Sequence, residues 1–168
     1  MEHFPALPVT DGIVTVKPAE IVAQMPQPPA IKHGMVCAFY SPYDDCVGMP
    51  SRERFDTEES YHATLYHELV HSTGHDKRLK RATLAKNNGF GSDPYCKEEL
   101  IAEMGAAFLC GHAEIIERTI DGSAAYINGW LERIRKDKLL IVQAAAQAQK
   151  AVDFILGKTH NEATGGAA

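Results

Sequence analysis

The sequence predicts an α+β fold, mainly helical with a small β-sheet or hairpin, and three observations lead there. Three segments pair a helix-starting residue with an apolar pattern at helical spacing and a glycine at the far end: Asp56 to Gly74, Asp93 to Gly111 and Asp137 to Gly157. One stretch, Met35 to Met49, is instead β-rich and interrupted by turn formers. With 168 residues, 45% of them hydrophobic, the chain is long enough for one domain with a core of its own.

Taken in order, residues 1–30 are Pro-rich and weakly periodic, which predicts a packed but irregular arm with a short helix-like stretch from Pro18 to Met25. Met35 to Tyr40, the turn formers Ser41 to Asp45, and Cys46 to Met49 predict a β-hairpin. Asp56 with Glu59 matches a capping box for a helix from Thr57 to about Thr73, and Leu65, Tyr66, Leu69 and Val70 spread around it as on a largely buried helix. The basic loop His75 to Arg81 reads either as a solvated turn or as a contact for an anionic partner. Asp93 and Pro94 open a helix to Cys110. Tyr126 to Ile134 marks a further helix, and Asp137 caps a long one with Leu140, Ala144, Ala148, Ala151 and Ile155 as its stripe. The predicted division is an arm over 1–30, a domain over 31–157 and a flexible tail over 158–168.

Composition excludes several classes. A net charge of −5 argues against wholesale wrapping of nucleic acid, so single-stranded DNA is not the favoured partner. The start of the chain shows no signal-peptide pattern and nowhere do 18 apolar residues run together, which predicts a cytoplasmic protein with no membrane partner. Cys37, Cys46, Cys96 and Cys110 form no Cys-x-x-Cys pair and are expected as buried free thiols.

The chemistry concentrates in His67-Glu68-Leu69-Val70-His71. Histidines four apart on a helix are offset by about 40°, so both rings leave one face and can hold one metal ion. Glu68 falls beside that ion, where a carboxylate can take a proton from water. The three fixed residues alone arise by chance in roughly 3 such chains in 100; the helix start before them, the Gly74 stop and a second acidic helix downstream are what give the pattern weight. On that second helix Glu99 and Glu103 share a stripe with Ala102 and Ala106, and two inward carboxylates need a cation to offset their desolvation. Glu98, about 260° around from Glu99, is expected in a different, surface-like environment. A third histidine at the spacing of one large peptidase group would fall on Lys77, which excludes that group.

The run Tyr61 to His75, then Arg78-Leu79, Phe90-Gly91-Ser92, Tyr95 with Glu98-Glu99-Leu100-Ile101-Ala102-Glu103, Ala125-Tyr126-Ile127, Trp130-Leu131 and Ala148 to Ala151 resembles the zincin-like metallopeptidase domain of ArdC-type antirestriction proteins. The resemblance spans about residues 31–157. It implies a zincin-like metallopeptidase fold with a small sheet beside the active-site helix, Zn2+ as cofactor on His67, His71 and Glu99, and Glu103 supporting a ligand histidine. ArdC-type proteins also carry an N-terminal domain for single-stranded DNA, for which the Pro-rich start has no room.

The function expected from residues and resemblance together is a zinc-dependent metallopeptidase acting on a peptide or protein substrate. His67, His71 and Glu99 would bind the metal, Glu68 would be the catalytic base, and Tyr95, His75 or Arg78 would aid the oxyanion. The alternative is a metal-stabilised, antirestriction-related module that binds DNA or a protein partner without turnover. Glu68 favours the enzyme, because a structural metal site needs no base.

Overall fold

The structure, a computed structural model, describes residues 17–85, 93–119 and 137–158. Its elements are α1 (Pro18–Ala23), β1 (Ala30–His33), β2 (Phe39–Ser41), β3 (Cys46–Met49), a 3-10 turn (Arg52–Arg54), α2 (Glu58–Thr73), α3 (Ala82–Ala85), α4 (Asp93–His112) and α5 (Lys138–Ile155). The expected helix over Tyr126 to Ile134 and the tail beyond Lys158 lie outside the described residues.

Helix α2 is the centre. It packs on α4 and α5 on one side and on β2 and β3 on the other, while α4 lies between α2, α3 and α5. Its start differs by one residue from the expected one: Thr57, not Asp56, is the N-cap, its hydroxyl accepting from the Ser60 amide at 3.1 Å while Ser60 Oγ accepts from the Thr57 amide at 3.3 Å. Glu59 pairs instead with Arg118. Asp56 and Thr57 offer similar caps one residue apart, and with Glu59 engaged by Arg118 the reciprocal box forms between Thr57 and Ser60. The helix buries Leu65, Tyr66, Leu69 and Val70, as its apolar spread requires.

The sheet has the order β1-β3-β2. β2 pairs antiparallel with β3 in the register Phe39↔Gly48, Tyr40↔Val47 and Ser41↔Cys46, as expected of a hairpin, but the first strand is shorter than the β-rich run. Gly34 at φ +85° turns the chain, and Val36 stands 83% exposed ahead of the strand. Cys37 is exposed in consequence, which corrects the expected burial of all four thiols; Cys46, Cys96 and Cys110 are buried and free. The third strand, β1, pairs parallel to β3 from Ala30↔Cys46 to His33↔Met49. Ala-Ile-Lys-His has little alternation of its own, so only the pairing to the buried β3 makes it a strand.

The core gathers Ile21 and Met25 from the N-terminal region with Val47, Met49, the apolar side chains of α2 and α4, and Ala144, Ala148, Ala151, Val152 and Ile155 of α5. Helix α1 is tied in by the Tyr66 hydroxyl, which donates to the Pro18 carbonyl at 3.0 Å. Helix α5 starts at Asp137, whose carboxylate accepts from the Leu139 amide at 3.0 Å, and ends where Gly157 takes φ +65°. Among the described residues no helix is long and apolar enough to cross a membrane.

Candidate metal centre

The site exists because α2 and α4 approach closely. Gly105 of α4 faces Val70 of α2 so tightly that a Cβ at 105 would stand 2.7 Å from Val70 Cγ2. Ala102 and Ala106 are buried beside it. Small residues at that seam bring the carboxylates of one helix within reach of the histidines of the other.

His67 Nε2 and His71 Nε2 lie 3.1 Å apart, while each ring's Nδ1 meets a carboxylate: His67 Nδ1 stands 3.3 Å from Glu103 Oε2, and His71 Nδ1 stands 3.2 Å from Glu98 Oε1. A carboxylate accepts and cannot donate, so each Nδ1 carries a proton, and a ring that gives up its second proton to a metal has its Nε2 lone pair directed inward. Glu99 completes the convergence, with its oxygens 3.7 Å from His67 Nε2 and 3.3 Å from His71 Nε2. One donor atom each of His67, His71 and Glu99 fit within 4.8 Å. A tetrahedral ion bound at about 2.0–2.1 Å separates its ligands by about 3.3 Å, so the three groups fit such an ion with little movement. Their electrostatics ask for one as well. Burial alone would lower the affinity of the His67 ring for a proton, yet the Glu103 and Glu99 carboxylates pull its pKa up to about 10.

Other histidines show the contrast. His62, buried on the same helix, has Nδ1 2.8 Å from its own helix's Glu58 carbonyl, and His33 Nε2 meets the Tyr61 hydroxyl at 2.8 Å.

A cavity of about 390 Å³ opens over the three donors, lined also by Glu68, Ala38, Phe39, Tyr40, Thr83, Leu84, Tyr95 and Glu98. Glu68 is buried, and burial pushes its carboxyl above the ordinary value against the pull of His71 and His67. Phe39 and Tyr40 belong to the edge strand of the sheet. Burial, and then the Glu99 carboxylate, raise the Tyr95 hydroxyl, so it stays a donor at neutral pH.

The structure places the other two oxyanion candidates elsewhere. Arg78 lies under the hairpin with its side chain 1% exposed: Nε donates to the Ser72 carbonyl at 2.7 Å, Nη1 to the Gln27 carbonyl at 3.1 Å, and Nη2 to Tyr40 Oη at 3.1 Å and to Asp45 Oδ1. His75 Nδ1 accepts from the Lys77 amide at 3.1 Å and faces a separate hollow with Pro42 and Tyr43. Neither lines the metal cavity. The basic loop itself is largely neutralised, since Lys77 and Arg78 pair with Asp45 and Arg81 with Glu98.

Glu98 overturns an expectation. It is 4% exposed and holds the His71 ring, rather than facing a surface-like environment. Burial opposes its charge, but His71 and Arg81 hold its carboxyl down to about 2. The angular reading separated it from Glu99 and misjudged what lies there, since both acids meet the His71 ring, Glu98 at Nδ1 and Glu99 at Nε2. α4 buries Cys96, Leu100, Ile101, Ala102, Leu109 and Cys110 around its circumference, so an acid 120° from the apolar arc still meets protein. The apolar residues on several faces of α4 are the sequence signal that could have shown this.

Comparisons with known proteins agree with this geometry. A family model described as zincin-like metallopeptidase matches residues 20–147. The chain is similar to DNA primase TraC of Escherichia coli, 42% identical over 119 residues covering 71% of this chain and 11% of that protein. It is similar as well to the uncharacterized protein y4eC of Sinorhizobium fredii, 35% identical over 125 residues covering 74% of this chain and 40% of the other. Among solved structures it superposes on the Mn(II)-bound antirestriction protein ArdC from plasmid R388 with a TM-score of 0.62 and 38% identity, covering 80% of this chain and 49% of that one. The chain thus spans less than half the length of each of these relatives. With a family model matching most of its length and an ArdC-like arrangement of helices and sheet, the chain belongs to the zincin-like metallopeptidase family.

Proposed function

We propose that this chain is a metal-dependent peptide hydrolase in which His67, His71 and Glu99 hold one divalent ion and Glu68 is the general base. What supports this most is the convergence of two Nε2 atoms and a carboxylate on one point, with Glu68 on the same cavity wall. A purely structural ion would need no such base. When bound, the ion would polarise the scissile carbonyl and make a water acidic enough to attack at neutral pH. Two imidazoles and a carboxylate at near-tetrahedral spacing favour zinc; the related ArdC structure is Mn(II)-bound, so both ions belong in the test.

The chain's own residues supply the remainder. Glu68, its affinity for protons raised by burial, takes the proton of the attacking water and returns it to the leaving amine. The edge strand β2 offers backbone groups at the cavity to an extended peptide. Of the three oxyanion candidates Tyr95 alone lines the cavity, which favours its hydroxyl as the donor.

The experiment is metal content by elemental analysis beside degradation of a mixed peptide library, with Glu68→Gln as control. About one zinc or manganese per chain is expected, with cleavage that the variant lowers by at least about 100-fold while keeping metal and fold. Metal-free protein after loading with either ion, or wild-type turnover in the variant, overturns the reading.

A second reading is favoured by the names of the relatives, a DNA primase and an antirestriction protein. There the domain is a metal-stabilised module serving DNA or a protein partner. Single-stranded DNA binding by this chain is expected to be weak, because most charges of the basic loop are already paired. Submicromolar binding at physiological salt with a steep salt dependence would promote the module over the enzyme.

A further inference from the structure

One buried cation stands behind the metal centre, one side chain removed from its histidines. Arg81, in the loop between α2 and α3, is 5% exposed. Its guanidinium forks onto Glu98, with Nε 3.1 Å from Oε2 and Nη2 2.6 Å from Oε1. The same group closes the last turn of α2: Nη2 donates to the Val70 carbonyl at 2.7 Å and Nη1 to Thr73 Oγ1 at 2.5 Å. Thr83 adds a hydroxyl to Glu98 Oε2 at 2.5 Å. Gly74, at φ −73°, packs close to this group: a Cβ there would stand 3.1 Å from Arg81 Cζ and Nη2 and from Leu84 Cδ2.

We infer that Arg81 is a positioning residue of the metal centre, acting on His71 through Glu98. This rests on the metal reading above. Glu98 and Glu99 are neighbours on one helix, both within reach of His71, and a carboxylate free to rotate could approach the ion from either position. The fork removes that freedom. Held in plane by two N–H groups and by Thr83, Glu98 keeps Oε1, which accepts from Arg81 Nη2, turned to His71 Nδ1 as well, so the His71 ring is oriented and its Nε2 faces Glu99 and His67. The support therefore runs from the carbonyl end of α2, through Arg81 and across Glu98 of α4, back to a ring on α2. A lysine offers one charge without a planar fork and cannot fix both oxygens.

The test is zinc affinity of the full chain, by competition with a chromophoric chelator, for the wild type, Arg81→Met, Arg81→Lys, Thr83→Val, Glu98→Gln and the double variant Arg81→Met/Glu98→Gln. Circular dichroism of each metal-free protein reports folding. Arg81→Met is expected to weaken zinc binding about 10- to 100-fold, as losses around ligand histidines do, with Arg81→Lys in between. Because Arg81 acts through Glu98, adding Arg81→Met to Glu98→Gln should change affinity by less than about threefold. A merely structural arginine would instead give additive losses in the double variant, and that result, or wild-type affinity in Arg81→Met, overturns the inference. If Arg81→Met does not fold, Arg81→Lys and Thr83→Val decide: both are expected to bind zinc more weakly, and unchanged affinity in both overturns it. A wild type that binds no metal defeats the proposed function and this inference together; a wild type that binds metal beside unaffected variants defeats this inference alone.

Discussion

Glu68 and Glu98 flank the same pair of histidines and are tuned in opposite directions, one carboxyl raised and one held down to about 2. The difference lies in their partners. Both line the cavity, but Glu98 accepts from a buried guanidinium and from His71, whereas at Glu68 burial outweighs the pull of the histidines. This revises the expected order of damage among the α4 carboxylates. Glu99→Ala should weaken metal binding most, since it removes one of three donors. Glu98→Ala should join Glu103→Ala at a loss of about 10- to 100-fold, instead of being silent. Chelator competition ranks the three, and a silent Glu98→Ala would show that the His71 ring holds its orientation unaided. His67, Glu68 and His71 were legible because i,i+4 geometry is local. The buried Glu98-Arg81 pair was not, since nothing in the sequence ties residue 98 to residue 81 before α4 folds onto α2.

At the scale of elements, caps and glycine stops located α2, α4 and α5 to within a few residues, because those signals act within one turn, although α4 runs through Gly111 to His112 and the short α3 lies where the sequence reads as loop. Strand β1 and the late start of β2 escaped, because they depend on pairing to β3. Two seams can be probed. Gly105→Val would drive a branched side chain into Val70 and part α2 from α4; overpacking of this kind costs about 1–3 kcal/mol, and metal affinity should fall with stability. Normal affinity in a folded Gly105→Val protein would show that the centre tolerates a wider seam. The other seam is the clamp of Arg78 on Asp45 below the hairpin. Burial opposes ionisation of Asp45, but hydrogen bonds from Arg78 and Tyr40 hold its carboxyl down to about 2, from an ordinary 3.8. A carboxyl lowered by folding contributes stability that is full above its ordinary value and is lost as pH falls through 4 towards 2. Asp45→Asn should keep the backbone, because Asn also accepts the φ of +49° found there, and should flatten that part of the acid-unfolding profile. Denaturant midpoints of the metal-free proteins between pH 2 and 5 measure it, and parallel profiles would remove the clamp from the account.

At the scale of the whole molecule, the sheet, α2 and α4 form one device, with the sheet edge on one side of the cavity and the carboxylates on the other. The tie between the Tyr66 hydroxyl and the Pro18 carbonyl, with Ile21 and Met25 under it, bears on how such a domain can be moved between longer chains. A graft cut at residue 31 would trim only Ala30 from β1 yet carry a hole in its core. Filling that hole takes two apolar side chains, each worth about 1.5–3 kcal/mol when fully buried, and it leaves the Tyr66 hydroxyl without its acceptor. A fragment beginning at residue 17 should melt with a single cooperative transition, and one beginning at residue 31 should melt well below it or not cooperatively at all. Equal melting temperatures would show that the junction lies further in. Otherwise any natural or engineered fusion of this domain must leave Pro18 to Met25 attached, and the splice belongs upstream of them.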